Sequence, residues 1–217
     1  MEEVRIMREV NDSHFPAFVG TFMTENSFYL VMEWCEGITA EEWVRRGLAC
    51  EEEVKEITKQ LATALYSLHR RGIVHRDIKP QNIIYNPLTS TVKIIDFGFA
   101  AFLHSPPLFP NCGTAGFAAP ELLDRHKHTL STKADVFSLG VTVYFMLFGR
   151  LPYARKVKSL AVANKMCEFE FDREMEKCRW LGDFVRRTVC GLGGRMNMED
   201  VVKHPYLQSK KEAEQCG

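Results

Sequence analysis

The chain has 217 residues, with 28 Lys plus Arg against 28 Asp plus Glu, 46% hydrophobic residues and 26% charged ones. That composition excludes a disordered tail, a collagen-like rod and a disulfide miniprotein. A chain of this length buries about 70% of its unfolded surface, enough for one large domain or two small ones. The zero net charge removes the general electrostatic argument for nucleic acid or an anionic membrane as a partner.

The seven cysteines contain no C-x-x-C pair, so the spacing indicates no zinc site. Scattered free thiols suit a reducing compartment, which points to a cytoplasmic location with the nucleus left open. The opening MEEVRIMREV is acidic and amphipathic, unlike a signal peptide. The longest apolar run, Val136 to Phe148, falls short of the about 17–25 residues that cross a bilayer and reads as a buried helix.

In chain order, Val4, Met7 and Val10 fall three apart and predict a helix over 1–10. Residues 15–22 and 28–34 are rich in Phe, Tyr, Val and Leu, and Thr24-Glu25-Asn26-Ser27 between them predicts a hairpin. Thr39-Ala40-Glu41-Glu42 has the form of a capping box opening a short helix to Arg46. Over 51–71, Val54, Ile57, Leu61, Leu65 and Leu68 form one stripe, acids stand at the start, and Gly72 follows the end. Ile83-Ile84-Tyr85 and Val92 to Ile95 read as strands around the turn Asn86-Pro87. Residues 101–120 carry four prolines and no periodicity, and read as loop. A buried helix at about 135–148 ends at Gly149, and amphipathic helices follow at about 159–168, 180–191 and 197–204. The segment after Gln208 is polar and reads as a frayed tail. The whole is an α+β chain with three parts: a small α+β piece at 1–36, a larger, mostly helical lobe at 37–208, and a polar tail at 209–217.

Three motifs stand in order. His75-Arg76-Asp77-Ile78-Lys79-Pro80-Gln81-Asn82 follows the striped helix, Asp96-Phe97-Gly98 begins nineteen residues after Asp77, and Ala119-Pro120-Glu121 ends twenty-five residues after Asp96. Together they resemble the signature set of the eukaryotic-type protein kinase catalytic domain. Taken alone, Asp77 reads as a helix cap or a salt-bridge partner of Lys79 rather than as a catalytic group. His75 reads as a packed core residue.

The resemblance implies a kinase-like fold with a small and a large lobe, ATP and Mg²⁺ as cofactors, and a protein substrate presenting Ser or Thr; the neutral charge balance adds the expectation of no nucleic-acid or membrane partner. Phosphoryl transfer asks the protein mainly to position groups and neutralise charge. The resemblance gives Asp77 the role of base or orienter for the substrate hydroxyl, Lys79 contact with the γ-phosphate, and Asn82 and Asp96 the magnesium. Met32 becomes the gatekeeper residue, Glu33-Trp34-Cys35 the hinge that meets adenine, and Ile84 a further cofactor contact. Met7, Phe18, His75 and Phe97 resemble an apolar stack linking the lobes. Arg76 would bind a phosphate on the activation loop, Asp135 would hold the catalytic-loop backbone, Arg195 would pair with Glu121, and Thr114 would bridge Asp77 and Lys79. Lys79-Pro80-Gln81-Asn82 and the turn Cys112 to Phe117 resemble serine/threonine kinases, closest in general look to the calcium/calmodulin-dependent group. Pro110 stands where many relatives carry a phosphorylatable threonine, which leaves Ser105 as the remaining candidate on that loop.

The sequence also departs from the family. No G-x-G-x-x-G lies before His75, and Glu3 falls where the family's αC glutamate stands, with no strand and no lysine ahead of it. The expectation is a kinase domain truncated at its N-terminus. An isolated hairpin in its small lobe would be marginal in water, and its open edge would invite a covering partner. The rival expectations are a non-catalytic, pseudokinase-like scaffold and, less favoured by the Ala119-Pro120-Glu121 segment, a small-molecule phosphotransferase of the same fold.

Overall fold

A computed structural model describes residues 2–104, 111–123, 130–153 and 159–208. Ser105, Pro106, Pro107 and Pro110, and the tail from 209 onward, lie outside the described residues.

Helix α1 (Glu2–Glu9) buries Ile6 and Met7. Strands β1 (Phe18–Met23) and β2 (Phe28–Met32) pair antiparallel, with Thr21 opposite Leu30 and Met23 opposite Phe28. Thr24 N–H donates to the Ser27 carbonyl at 2.9 Å and closes the hairpin. Among the described residues this sheet has two strands. Phe22 and Tyr29 stack across it at 4.6 Å, with Val19 and Met23 exposed beside them.

Strand β3 (Ile38–Thr39) leads into α2 (Ala40–Arg45), where Thr39 Oγ1 accepts from Glu42 N–H at 3.2 Å. Only half of the expected capping box forms. The Glu42 carboxylate turns instead to Arg45 and Arg46, whose charges outcompete a backbone N–H. Helix α3 (Glu51–Arg70) buries its whole predicted stripe and stops where Gly72 takes φ +70°. Strand β4 (Ile73–Val74) then pairs with β7 (Ala101–Phe102), a pairing inside the stretch read as loop. Two residues are too few to leave a period in the sequence. Strands β5 (Ile83–Asn86) and β6 (Thr91–Ile94) join β3 in the order β3-β5-β6.

Helix α4 (Lys133–Phe148) is apolar on all sides and buried on nearly all of them, so the lobe is built around it. Gly140 is obligatory there: a Cβ would lie 2.2 Å from Thr188 Oγ1 on α6 (Arg179–Thr188). Helices α5 (Leu160–Met166) and α7 (Met198–Val202) complete the lobe. The cysteines among the described residues are free thiols.

Two buried charges fix loops to this framework. Arg195 grips Glu121 with two hydrogen bonds, at 2.5 and 3.1 Å, and also donates to the carbonyls of Lys133 and Cys190. Asp135, on α4 and fully buried, accepts from His75 N–H at 2.9 Å and from Arg76 N–H at 2.8 Å. His69 Nε2 lies 2.8 Å from the same carboxylate. Burial opposes the Asp135 charge, but the His69 hydrogen bond and charge, with the His75 contacts, hold its carboxyl below the ordinary 3.8.

Removing one partner of a buried pair leaves the other uncompensated, so Arg195→Met should cost about 3–5 kcal/mol in urea unfolding; a loss below about 1 kcal/mol, the size of an exposed pair, would refute the buried grip. The depressed carboxyl of Asp135 stabilises the fold fully above its unfolded value and loses that contribution as pH falls through the lower folded value. In a plot of unfolding free energy against pH, Asp135→Asn should therefore give a shallower acid limb than wild type. An unchanged slope would contradict this linkage.

Candidate active site

The loop 75–79 connects β4 to a 3₁₀ turn at Pro80–Asn82. Arg76 adopts φ +68°, a conformation that L side chains rarely hold without support. Support comes from Asp135 below and from the buried Arg76 side chain, whose Nε donates to the Phe99 carbonyl at 2.6 Å. Asp77 follows, its side chain almost wholly buried. Its Oδ1 accepts from Thr114 N–H at 3.0 Å and Thr114 Oγ1–H at 2.7 Å. Its Oδ2 accepts from Lys79 Nζ at 2.7 Å and Asn82 Nδ2 at 3.1 Å. Lys79 also donates to Thr114 Oγ1 at 2.8 Å, and Asn82 to the Asp77 carbonyl at 3.0 Å. Asp77, Lys79, Asn82 and Thr114 thus form one network drawn from two segments 35 residues apart.

Asp96 is exposed, at φ +68°, and its Oδ1 accepts from Gly98 N–H at 3.0 Å. Among the described residues it makes no direct bond to the Asp77 network, but its charge reaches Glu3 and His75. Glu3 is pushed up by burial first and by Asp96 second, and among the described residues it has no ion-pair partner. Burial lowers His75, against the pull of the surrounding carboxylates. Phe97 is the ring contact between the parts: Phe15 lies 5.5 Å from it and His75 5.3 Å. Met7 is buried in the same core and Phe18 is half-buried against it, with Arg8 over its ring.

Asn82 and Asp96 are suited to a hard divalent cation. Asn82 spends its Nδ2 on Asp77, which leaves its amide oxygen as the ligating atom, and Asp96 presents a carboxylate on the surface. No group of three or more His, Cys, Asp or Glu that could hold a metal occurs among the described residues. A cation held by these two side chains would take its remaining ligands from other oxygens, the type of donor that Mg²⁺ prefers.

The candidate hinge follows β2. Met32 is 37% exposed and Trp34 85% exposed, while Glu33 and Cys35 are half-buried. Glu33 Oε2 accepts from Ala17 N–H at 3.0 Å and from Lys93 Nζ at 2.8 Å, and both bonds lower its carboxyl. Burial pushes the Cys35 thiol up. Ile84 on β5 stands opposite Lys93 on β6, so it reaches the same neighbourhood. Two residues of this arrangement, His69 and Lys93, were not indicated by the sequence. His69 looks like an ordinary residue in the last helical turn. Lys93 is a lone cation between Val92 and Ile94, a signal of which face it occupies but not of its partner.

A family model described as a protein kinase domain matches residues 1–207. The chain is 36% identical over 78% of its length to "Probable serine/threonine-protein kinase 2" of Plasmodium falciparum. It is 31% identical over 95% of its length to "Probable serine/threonine-protein kinase KIN1 homolog" of Enterocytozoon bieneusi. It is 38% identical over 78% of its length to the human "Hormonally up-regulated neu tumor-associated kinase". These matches span 34%, 36% and 24% of the three relatives, about a third of their length or less. Among the described residues no helix is long and apolar enough to cross a membrane. With its mixed helices and small sheets, and with the ordered motifs around Asp77, Asp96 and Glu121, the chain belongs to the protein kinase family.

Proposed function

We propose that the chain forms the catalytic region of a protein serine/threonine kinase that moves the γ-phosphate of ATP to a protein hydroxyl. The observation that carries this reading is the network on Asp77, in which one buried carboxylate is held on both oxygens by Thr114, Lys79 and Asn82. Oriented this way, Asp77 aligns the substrate hydroxyl and takes its proton as the new O–P bond forms and the bond to the departing ADP breaks. Lys79 places its cation beside the γ-phosphate. Asn82 and Asp96 would hold Mg²⁺, which when bound neutralises charge on the phosphate oxygens. Met32, Glu33, Cys35 and Ile84 would line the adenine site, between a small lobe at 1–36 and a large lobe at 37–208. The turn after Cys112 fits a protein substrate because it is fastened: Tyr153 Oη donates to the Gly116 carbonyl at 2.8 Å and Asn164 Nδ2 to the Ala118 carbonyl at 2.7 Å.

A second reading, a non-catalytic scaffold of the same fold, is favoured by one observation. Glu3 faces the charge of Asp96 with no ion-pair partner among the described residues, and this anionic pair opposes a triphosphate unless a cation intervenes.

Asp77→Asn should lower phosphate incorporation into a protein substrate by about 10²–10⁴-fold with little change in KM for ATP. Activity within about threefold of wild type would exclude Asp77 as the base. In thermal shift, MgADP at a hundredfold excess over its Kd should stabilise the chain by about 2.7 kcal/mol, and Asp96→Asn should remove the Mg²⁺-dependent part. No shift at millimolar MgADP would favour the scaffold.

A further inference from the structure

We propose that Lys93 is a positioning residue for the base-binding hinge, acting through Glu33 and the loop 14–17. The inference rests on the reading of residues 33–35 as the segment that meets adenine.

Strand β6 alternates: Val92 and Ile94 are buried and Lys93 between them turns to the other face. There its Nζ lies 2.8 Å from Glu33 Oε2 and 3.3 Å from the Phe15 carbonyl. The same Glu33 oxygen accepts from Ala17 N–H at 3.0 Å, and Glu33 N–H donates back to the Ala17 carbonyl at 2.9 Å. Ile94 N–H donates to the His14 carbonyl at 2.8 Å. One ammonium therefore ties together three strips of chain, its partners lying 60 and 78 residues away in sequence.

Adenine recognition at such a segment uses backbone N–H and C=O groups, and its strength depends on placing them to within about 0.5 Å. The segment itself offers few anchors. Trp34 is 85% exposed, Met32 ends a two-stranded sheet, and the Cys35 thiol makes only a long 3.9 Å contact to the Glu33 carbonyl. Beyond the backbone bond to Ala17, the Glu33 side chain ties the hinge to β6, and Lys93 is the charge that holds it. With side chains 23% and 38% exposed, the Lys93–Glu33 pair contributes less through Coulomb energy than through fixing geometry.

The test compares the full chain with Lys93→Met, Lys93→Arg and Glu33→Gln. Two quantities are measured: MgADP affinity by calorimetry and hydrogen exchange of the amides of residues 34–36. Lys93→Met should weaken MgADP about five- to tenfold and speed hinge exchange. Lys93→Arg should restore both, and Glu33→Gln should match Lys93→Met with no further loss in the double variant. Wild-type affinity together with wild-type hinge exchange in Lys93→Met would overturn the proposal. If Lys93→Met does not fold, the isosteric Glu33→Gln decides by the same two readouts. A wild-type chain that binds no MgADP defeats the nucleotide reading. Hinge exchange then decides the tether: faster exchange in Lys93→Met supports it and unchanged exchange overturns it.

Discussion

The structure depends on one buried carboxylate. Taking a charge out of water is costly unless donors replace the lost solvation. Asp135 has three such donors: the backbone N–H groups of His75 and Arg76 and the His69 ring. They are the reason the loop can hold Arg76 at φ +68°, a strain of about 1–3 kcal/mol that isolated chain would release. The carboxylate is rigid because α4 is packed on nearly every side, which in turn requires Gly140 at the α6 crossing. A run of apolar residues thus becomes a fixed reference point, and the reference point sets where Asp77 stands one residue beyond Arg76.

Much of this was legible in the sequence because it is periodic or local. The stripe Val54 to Leu68, the apolar run at α4 and the Gly149 stop each carry their signal within about one to four turns of helix. The ordered motifs placed Asp77, Lys79 and Asn82 on one loop. What escaped was long-range or competitive. Strands β4 and β7 have two residues each, and their pairing depends on a chain reversal some thirty residues away. Glu42 had the sequence of a capping residue but two arginines within reach, and the charges won. His69 and Lys93 take their importance from partners 66 and 60 residues distant, which no local pattern encodes.

The small α+β piece poses the opposite problem from α4. A two-stranded hairpin alone is marginally stable in water, and here much of its apolar surface is exposed, Val19 and Met23 most of all. Its order must come from elsewhere. A backbone bond from Ile94 on β6 to His14, and the Lys93 side chain's bonds to Phe15 and Glu33, join it to the larger lobe, while Phe15 seats its ring on Phe97. The hairpin is held at its base, while among the described residues no further strand pairs with its edges.

The two anchoring charges differ in physical kind. Asp135 is dry, bound by groups that are themselves buried, and bulk salt scarcely reaches it. The Lys93–Glu33 pair is partly wet, so counterions and water compete with it directly. The loop bearing Asp77 is therefore built on the stiffer support and the hinge on the softer one. Under the proposed kinase reading that division has a use: the groups around the reacting oxygen would keep their geometry through every turnover, whereas the segment that grips and releases a nucleotide would be able to yield.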